Sequence, residues 1–154
     1  MKKVALYLVL CMLAGSVFGC GKETPSNTNT EIYGKTIGGL EDDELFAIIE
    51  TNASLPVLLV SSQVYDDGLE NRATLRCDVY YLIDNEVKNI GTIESMDAAY
   101  PISYDKSGIY AASDHDMQRF VIDKSGAITL EEGNYEKYSK ATVVNFHYGA
   151  SDAV

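Results

Sequence analysis

Arg72-Ala73-Thr74-Leu75-Arg76-Cys77-Asp78-Val79-Tyr80-Tyr81-Leu82-Ile83 alternates apolar and polar side chains with a period of two. Ala73, Leu75, Cys77, Val79, Tyr81 and Ile83 fall on one side, and Arg72, Thr74, Arg76 and Asp78 on the other. Successive side chains of a strand point to opposite faces, so the stretch predicts a strand with one face on a core and one toward solvent. Asp84-Asn85 reads as a tight turn, and Glu86 to Ile93 as the returning strand. Upstream, Val57 to Tyr65 has the same period, and Asp66-Asp67-Gly68 opens a loop that runs to Asn71. Downstream, short strands are predicted at 101–104, 109–113, 117–122, 127–130 and 142–148.

Asp105-Lys106-Ser107-Gly108 recurs as Asp123-Lys124-Ser125-Gly126, each copy between two strand candidates. Asp at the first position bonds its own turn and Gly at the fourth accepts positive φ, so each copy predicts a hairpin turn. Such hairpins also build propeller blades, but a blade takes ~40–45 residues and a closed propeller at least ~4 blades. The chain of 154 residues is too short for that. Leu40 to Asn52 predicts a helix: Leu45, Ile48 and Ile49 fall on one stripe, and Glu41 to Glu44 would occupy a first turn, where the dipole favours carboxylates. Pro56 forbids its continuation. The expected fold class is α+β, one N-terminal helix packed on a predominantly antiparallel β-meander of about six to eight strands.

Hydrophobic residues make up 46% and charged residues 23%, which is the composition of a packed domain. Asp plus Glu is 23 against 12 for Lys plus Arg, a net charge of −11, which argues against nucleic acid as a partner.

Residues 1–19 read as a leader. Lys2 and Lys3 form a basic start, Val4 to Ala14 is an apolar run too short to span a bilayer, and small residues follow. Val17-Phe18-Gly19-Cys20 resembles the lipobox of bacterial lipoproteins. That resemblance implies cleavage before Cys20, lipidation of Cys20, and anchoring to the cell membrane on its extracytoplasmic face. Residues 20–39 then form a polar tether, with Ile32, Tyr33 and Ile37 able to dock, and 40–154 a single domain. Losing Lys2 and Lys3 leaves 10 basic and 23 acidic residues, so the mature chain carries −13 and stands off an anionic lipid surface. Its one remaining thiol is Cys77, placed on the apolar side of its strand, where it predicts a buried and inert group.

G-x-S-x-G, G-x-G-x-x-G, Walker and H-E-x-x-H patterns are all lacking, and two histidines 32 positions apart do not suggest zinc. No metal or other cofactor is expected. Asp114-His115-Asp116 has the types for a carboxylate-oriented imidazole but also suits a polar hairpin tip. Asp66 to Asn71 gathers oxygens without the spacing of a calcium loop. His147 alternates outward between Phe146 and Tyr148. Tyr80 shares the polar face with Arg76 and Asp78, and exposed Tyr and Arg mark recognition surfaces, so these three are the candidate binding surface.

The runs Pro56 to Val60, Tyr65 to Gly68, Cys77 to Tyr81 and Ala99 to Tyr110 resemble a group of small uncharacterised lipoproteins of Gram-positive bacteria over about residues 45–133. The resemblance implies a lipoprotein and carries no catalytic residues. The expectation is a non-catalytic binding or interaction module whose partner is an envelope protein, peptide or glycan. The alternatives are an envelope hydrolase using Asp114 and His115, and a folding or assembly helper whose acidic surface solubilises clients.

Overall fold

In the computed structural model, which describes residues 27–149 other than His115, the stretch that opens the sequence reading is not one strand but two. Arg72–Thr74 and Arg76–Ile83 are separated at Leu75, and the paired segment upstream breaks at Ser62 and Gln63, between Val57–Ser61 and Val64–Asp66. Buried hydroxyls fix this shared corner. Ser61 donates to the Arg76 carbonyl at 2.7 Å, Thr74 to the Gln63 carbonyl at 2.8 Å, and the two hydroxyls lie 2.9 Å apart. Thr74 is therefore buried rather than solvent-facing. A buried polar side chain is tolerated because it satisfies the backbone groups that the corner takes out of the ladder.

The elements in chain order are α1 (Asn27–Ile37), β1 (Leu45–Ile49), β2 (Val57–Ser61), β3 (Val64–Asp66), β4 (Arg72–Thr74), β5 (Arg76–Ile83), β6 (Glu86–Glu94), β7 (Ser103–Asp105), β8 (Gly108–Ala112), β9 (Met117–Ile122), β10 (Ile128–Glu132), α2 (Tyr135–Tyr138), β11 (Thr142–Val143) and β12 (His147–Tyr148). They form a five-stranded sheet ordered β12-β1-β2-β5-β6, a second ordered β10-β9-β8-β7-β11, and the ribbon β3-β4, all antiparallel. The predominantly antiparallel β character expected from the sequence is observed. The six-to-eight-stranded single meander is not, because the chain leaves the first sheet for the second over 95–102 and returns to it at 144–146, and the corner at Leu75 sets the ribbon β3-β4 apart.

The helix expected over Leu40–Asn52 is also corrected: Leu45–Ile49 is strand β1. Glu41 to Glu44 form a turn, in which the Glu44 carboxylate accepts from the Glu41 N–H at 2.9 Å. The helix observed near the start of the described residues is α1, within the segment that reads as a tether. Its Tyr33 is wholly buried against Phe46, Leu58 and Val60 on the outer face of the first sheet, and its hydroxyl donates to the Pro56 carbonyl at 2.5 Å.

The main core lies between the sheets. Ala47, Ile49, Val57, Leu59, Cys77, Val79, Tyr81 and Ile93 from the first meet Ile102, Ile109, Ala111, Ile122, Val144 and Phe146 from the second side. These are alternate positions of paired strands, as two packed sheets require. Both Asp-Lys-Ser-Gly copies close hairpins, β7–β8 and β9–β10. The Asp123 carboxylate accepts from the Ser125 and Ala127 N–H groups, and Gly126 has φ of +81°. Asp84 and Asn85, at φ of 52° and 63°, make the two-residue turn expected between β5 and β6.

Candidate functional site

The alternation of β5 places Arg76, Asp78 and Tyr80 together on the outer face of the first sheet, but the structure gives them different surroundings. Register sets Glu94 of β6 opposite Arg76 and Thr92 opposite Asp78. Arg76 is paired to Glu94 at 3.1 Å, and the Asp78 carboxylate accepts from the Thr92 hydroxyl at 2.6 Å. Tyr80 is half-buried in the apolar cluster that holds Tyr33 and Val87, so part of its ring serves to seat α1. Arg76 and Asp78 border a shallow depression of about 100 Å³ with Glu44, Ser61, Ser62 and Gln63. A second depression, of about 230 Å³, lies along Glu50 to Pro56. Both are smaller than the ~300–1,000 Å³ of sites that enclose a small molecule.

Asp114 and Asp116 are exposed at the tip joining β8 to β9, where the Ser113 hydroxyl donates to the Asp116 carbonyl at 2.8 Å. His115, the third member of that candidate, lies outside the described residues, as do Cys20 and the leader. The Asp66–Asn71 loop uses its oxygens internally. The Asp67 carboxylate accepts from the Asn71 side-chain amide at 2.8 Å and from the Leu69 and Asn71 N–H groups, and these bonds hold it below the ordinary carboxylate range. Among the described residues no group of three His, Cys, Asp or Glu side chains is placed to hold a metal ion. Cys77 is buried between the sheets, and burial pushes its thiol far up, which disfavours the nucleophilic thiolate. His147 is exposed, with its ring centroid 6.4 Å from that of Phe46.

An aromatic group lies on the opposite side of the molecule, on the outer face of the second sheet. Tyr110, Ala112 and Met117 form its floor, and Tyr100, Tyr138 and Ala141 pack on it. Two backbone bonds gather the contributing segments: the Met96 N–H to the Ala112 carbonyl at 2.9 Å, and the Gly133 N–H to the Met117 carbonyl at 2.8 Å. Asn134 then caps α2, its side chain accepting from the Lys137 N–H at 2.8 Å, and the short helix presents Tyr135 and Tyr138. Tyr100 meets both rings edge-on, at centroid distances of 5.4 and 5.5 Å. The Tyr138 hydroxyl donates to the Pro101 carbonyl at 3.0 Å, which fixes its ring. Tyr135 is 47% exposed above buried Tyr110, Ala112 and Met117, so the cluster has a packed base and an open rim. Sequence reading takes these tyrosines one by one and does not group them. The signal that joins two of them is Asn134 followed by Tyr135 and Tyr138, a capping residue with an i,i+3 aromatic pair.

Comparison with protein-family models, with curated proteins and with solved structures gives no match.

Proposed function

We propose that the chain is a lipid-anchored, extracytoplasmic binding module that engages a cell-envelope peptide or glycan through the Tyr100–Tyr135–Tyr138 cluster. The observation that carries the reading is the edge-to-face packing of Tyr100 against Tyr138 and against the half-exposed ring of Tyr135. Aromatic side chains that are fixed in place lose little entropy on binding, and buried aromatic anchors dominate recognition surfaces. The outer face of the first sheet, where Arg76, Asp78 and Tyr80 lie, offers less: its charges are paired across the strands and its apolar centre holds Tyr33. The anchor rests on Val17-Phe18-Gly19-Cys20 and the apolar run before it.

The test is binding of the full chain, held in detergent micelles, to a panel of envelope glycans and peptides. Tyr135→Ala is expected to weaken the ligand found by about thirty-fold, the effect of losing ~2 kcal/mol at a central anchor, while Arg76→Ala changes it little. Equal loss in both variants, or loss only with Arg76→Ala, overturns the placement. The anchor is tested separately by growing cells on a labelled fatty acid. Label is expected in the chain and absent from Cys20→Ala.

A further inference from the structure

Three segments surround the Tyr100–Tyr135–Tyr138 cluster, 95–100, 112–117 and 133–141. Together they carry Asp97, Asp114, Asp116 and Glu136 against Lys137 and Lys140. The two lysines do not offset the carboxylates at the rings. Lys140 is ion-paired to Glu136 at 2.9 Å. Lys137 stands two positions after Tyr135 on α2, and residues two apart on a helix do not face each other. In the sheet beneath, Arg119 lies opposite Tyr110 in register but is ion-paired to Glu131. Asp97 opens the turn that delivers Tyr100: its carbonyl accepts from the Tyr100 N–H at 2.9 Å, and its carboxylate from the Ala99 N–H at 2.9 Å. That carboxylate is exposed, and no ion pair engages it among the described residues. Its charge is felt at Tyr138, whose phenol is pushed up first by burial, against a bond with Ser103, and further by Tyr65, Tyr100 and Asp97.

We infer that the ligand of this cluster is a cationic peptide segment, with a lysine or arginine side chain over the Tyr135 ring and Asp97 as its counter-charge. The inference rests on the cluster being the binding site and names what the site takes. An aromatic ring carries negative charge density on its face, so an exposed ring and an unpaired carboxylate favour the same sign of ligand. A long basic side chain meets both: its apolar stem packs on the rings while its charged head reaches the carboxylate. Polymers that bear phosphate or carboxylate are repelled by a chain of net −11. A neutral glycan stacks on the rings but leaves the carboxylates without a partner. Opposite charge also speeds encounter, and salt that screens it weakens the binding.

The test measures binding of the full chain, held in micelles of an uncharged detergent, to a labelled Lys-Gly-Ser repeat peptide. The same peptide with acetylated lysines and an uncharged N-acetylglucosamine oligomer serve as comparisons. The lysine peptide is expected to bind, and its acetylated form to bind about ten-fold more weakly. Tyr135→Ala is expected to weaken the lysine peptide about thirty-fold, while Tyr135→Phe, which keeps the ring, stays within about two-fold. Asp97→Asn is expected to cost about three-fold, and Glu86→Gln, which removes the same charge from the first sheet, to cost nothing. Failure of the lysine peptide to bind overturns the inference. Equal loss in Asp97→Asn and Glu86→Gln also overturns it, since binding would then follow net charge alone. Acetylated peptide or glycan bound as tightly as the lysine peptide, and lost in Tyr135→Ala, overturns the cationic ligand and leaves the cluster as the site. Binding of the lysine peptide indifferent to Tyr135→Ala overturns both.

Discussion

Tyr33 shows how one side chain ties a helix to a sheet. The ring has no exposed surface, and its hydroxyl donates to the Pro56 carbonyl. Burial, with Tyr81 nearby, pushes the Tyr33 phenol up to about 12 from its ordinary value of 10.0, because a phenolate there would lose its hydration. The folded value lies above the unfolded one, so the contribution is fully present below pH 10 and is lost as pH rises toward 12. Near-ultraviolet circular dichroism should therefore show an alkaline transition in that window. Tyr33→Phe, which cannot ionise, should lack it at a cost of about 1 kcal/mol for the lost hydrogen bond. Tyr33→Ala should cost about 3–5 kcal/mol in denaturant unfolding, as for other buried aromatic truncations. An alkaline transition that persists unchanged in Tyr33→Phe would assign it to another group.

At the scale of elements, β1 explains where sequence reading holds and where it fails. Leu45-Phe46-Ala47-Ile48-Ile49 is apolar throughout because both its faces are covered: Leu45, Ala47 and Ile49 face the other sheet, while Phe46 and Ile48 face α1. A strand buried on both sides has no alternation, and Leu45, Ile48 and Ile49 then happen to match helical spacing. Strand β5 keeps its alternation because half of its outer face meets solvent. Its core face of Cys77, Val79 and Tyr81 was legible from sequence for that reason. The corner at Leu75 was not, since hydroxyls that bond across two segments leave no periodic trace. The tyrosine cluster escaped for a similar reason: Tyr100 meets α2 only in three dimensions.

The repeated Asp-Lys-Ser-Gly turns were legible, and their chemistry yields a test. The Ser125 hydroxyl, with the Ala127 and Ser125 N–H groups, holds the Asp123 carboxyl below the usual range. At Asp105 burial pushes upward, but bonds from Ser107 and Tyr110 outweigh it and lower the value. Depressed carboxyls stabilise above the ordinary carboxylate value, and that stabilisation fades as pH falls through the lowered one. Asp105→Asn and Asp123→Asn should each lower the thermal midpoint at pH 7, and the gap to the unsubstituted chain should narrow on acidification. A gap that is independent of pH would refute the charged-acceptor account. Gly126→Ala should cost about 1–2 kcal/mol for its left-handed backbone alone, with crowding of Ile83 adding to it.

For the whole molecule the dominant long-range term is charge. A net −11 on 154 residues repels itself, and the repulsion is felt over ~30 Å at 0.01 M salt but only a few ångströms near 1 M. The thermal midpoint should rise as sodium chloride is raised from ~0.01 to ~0.5 M, and potassium chloride should act alike, since screening depends on ionic strength. A flat or falling midpoint would show that local ion pairs such as Arg76–Glu94 outweigh the net field. The last described segment has a different consequence. Thr142–Val143 completes the edge of one sheet, Val144 and Phe146 fill the core, and His147–Tyr148 pairs with β1 about a hundred positions earlier in the chain. During synthesis, β1 keeps an open edge and the core keeps a gap until residues 144–148 have been made. The sandwich therefore cannot close from its N-terminal end as the chain emerges. Its closure is a late, long-range event, with the slow kinetics that distant strand pairing imposes.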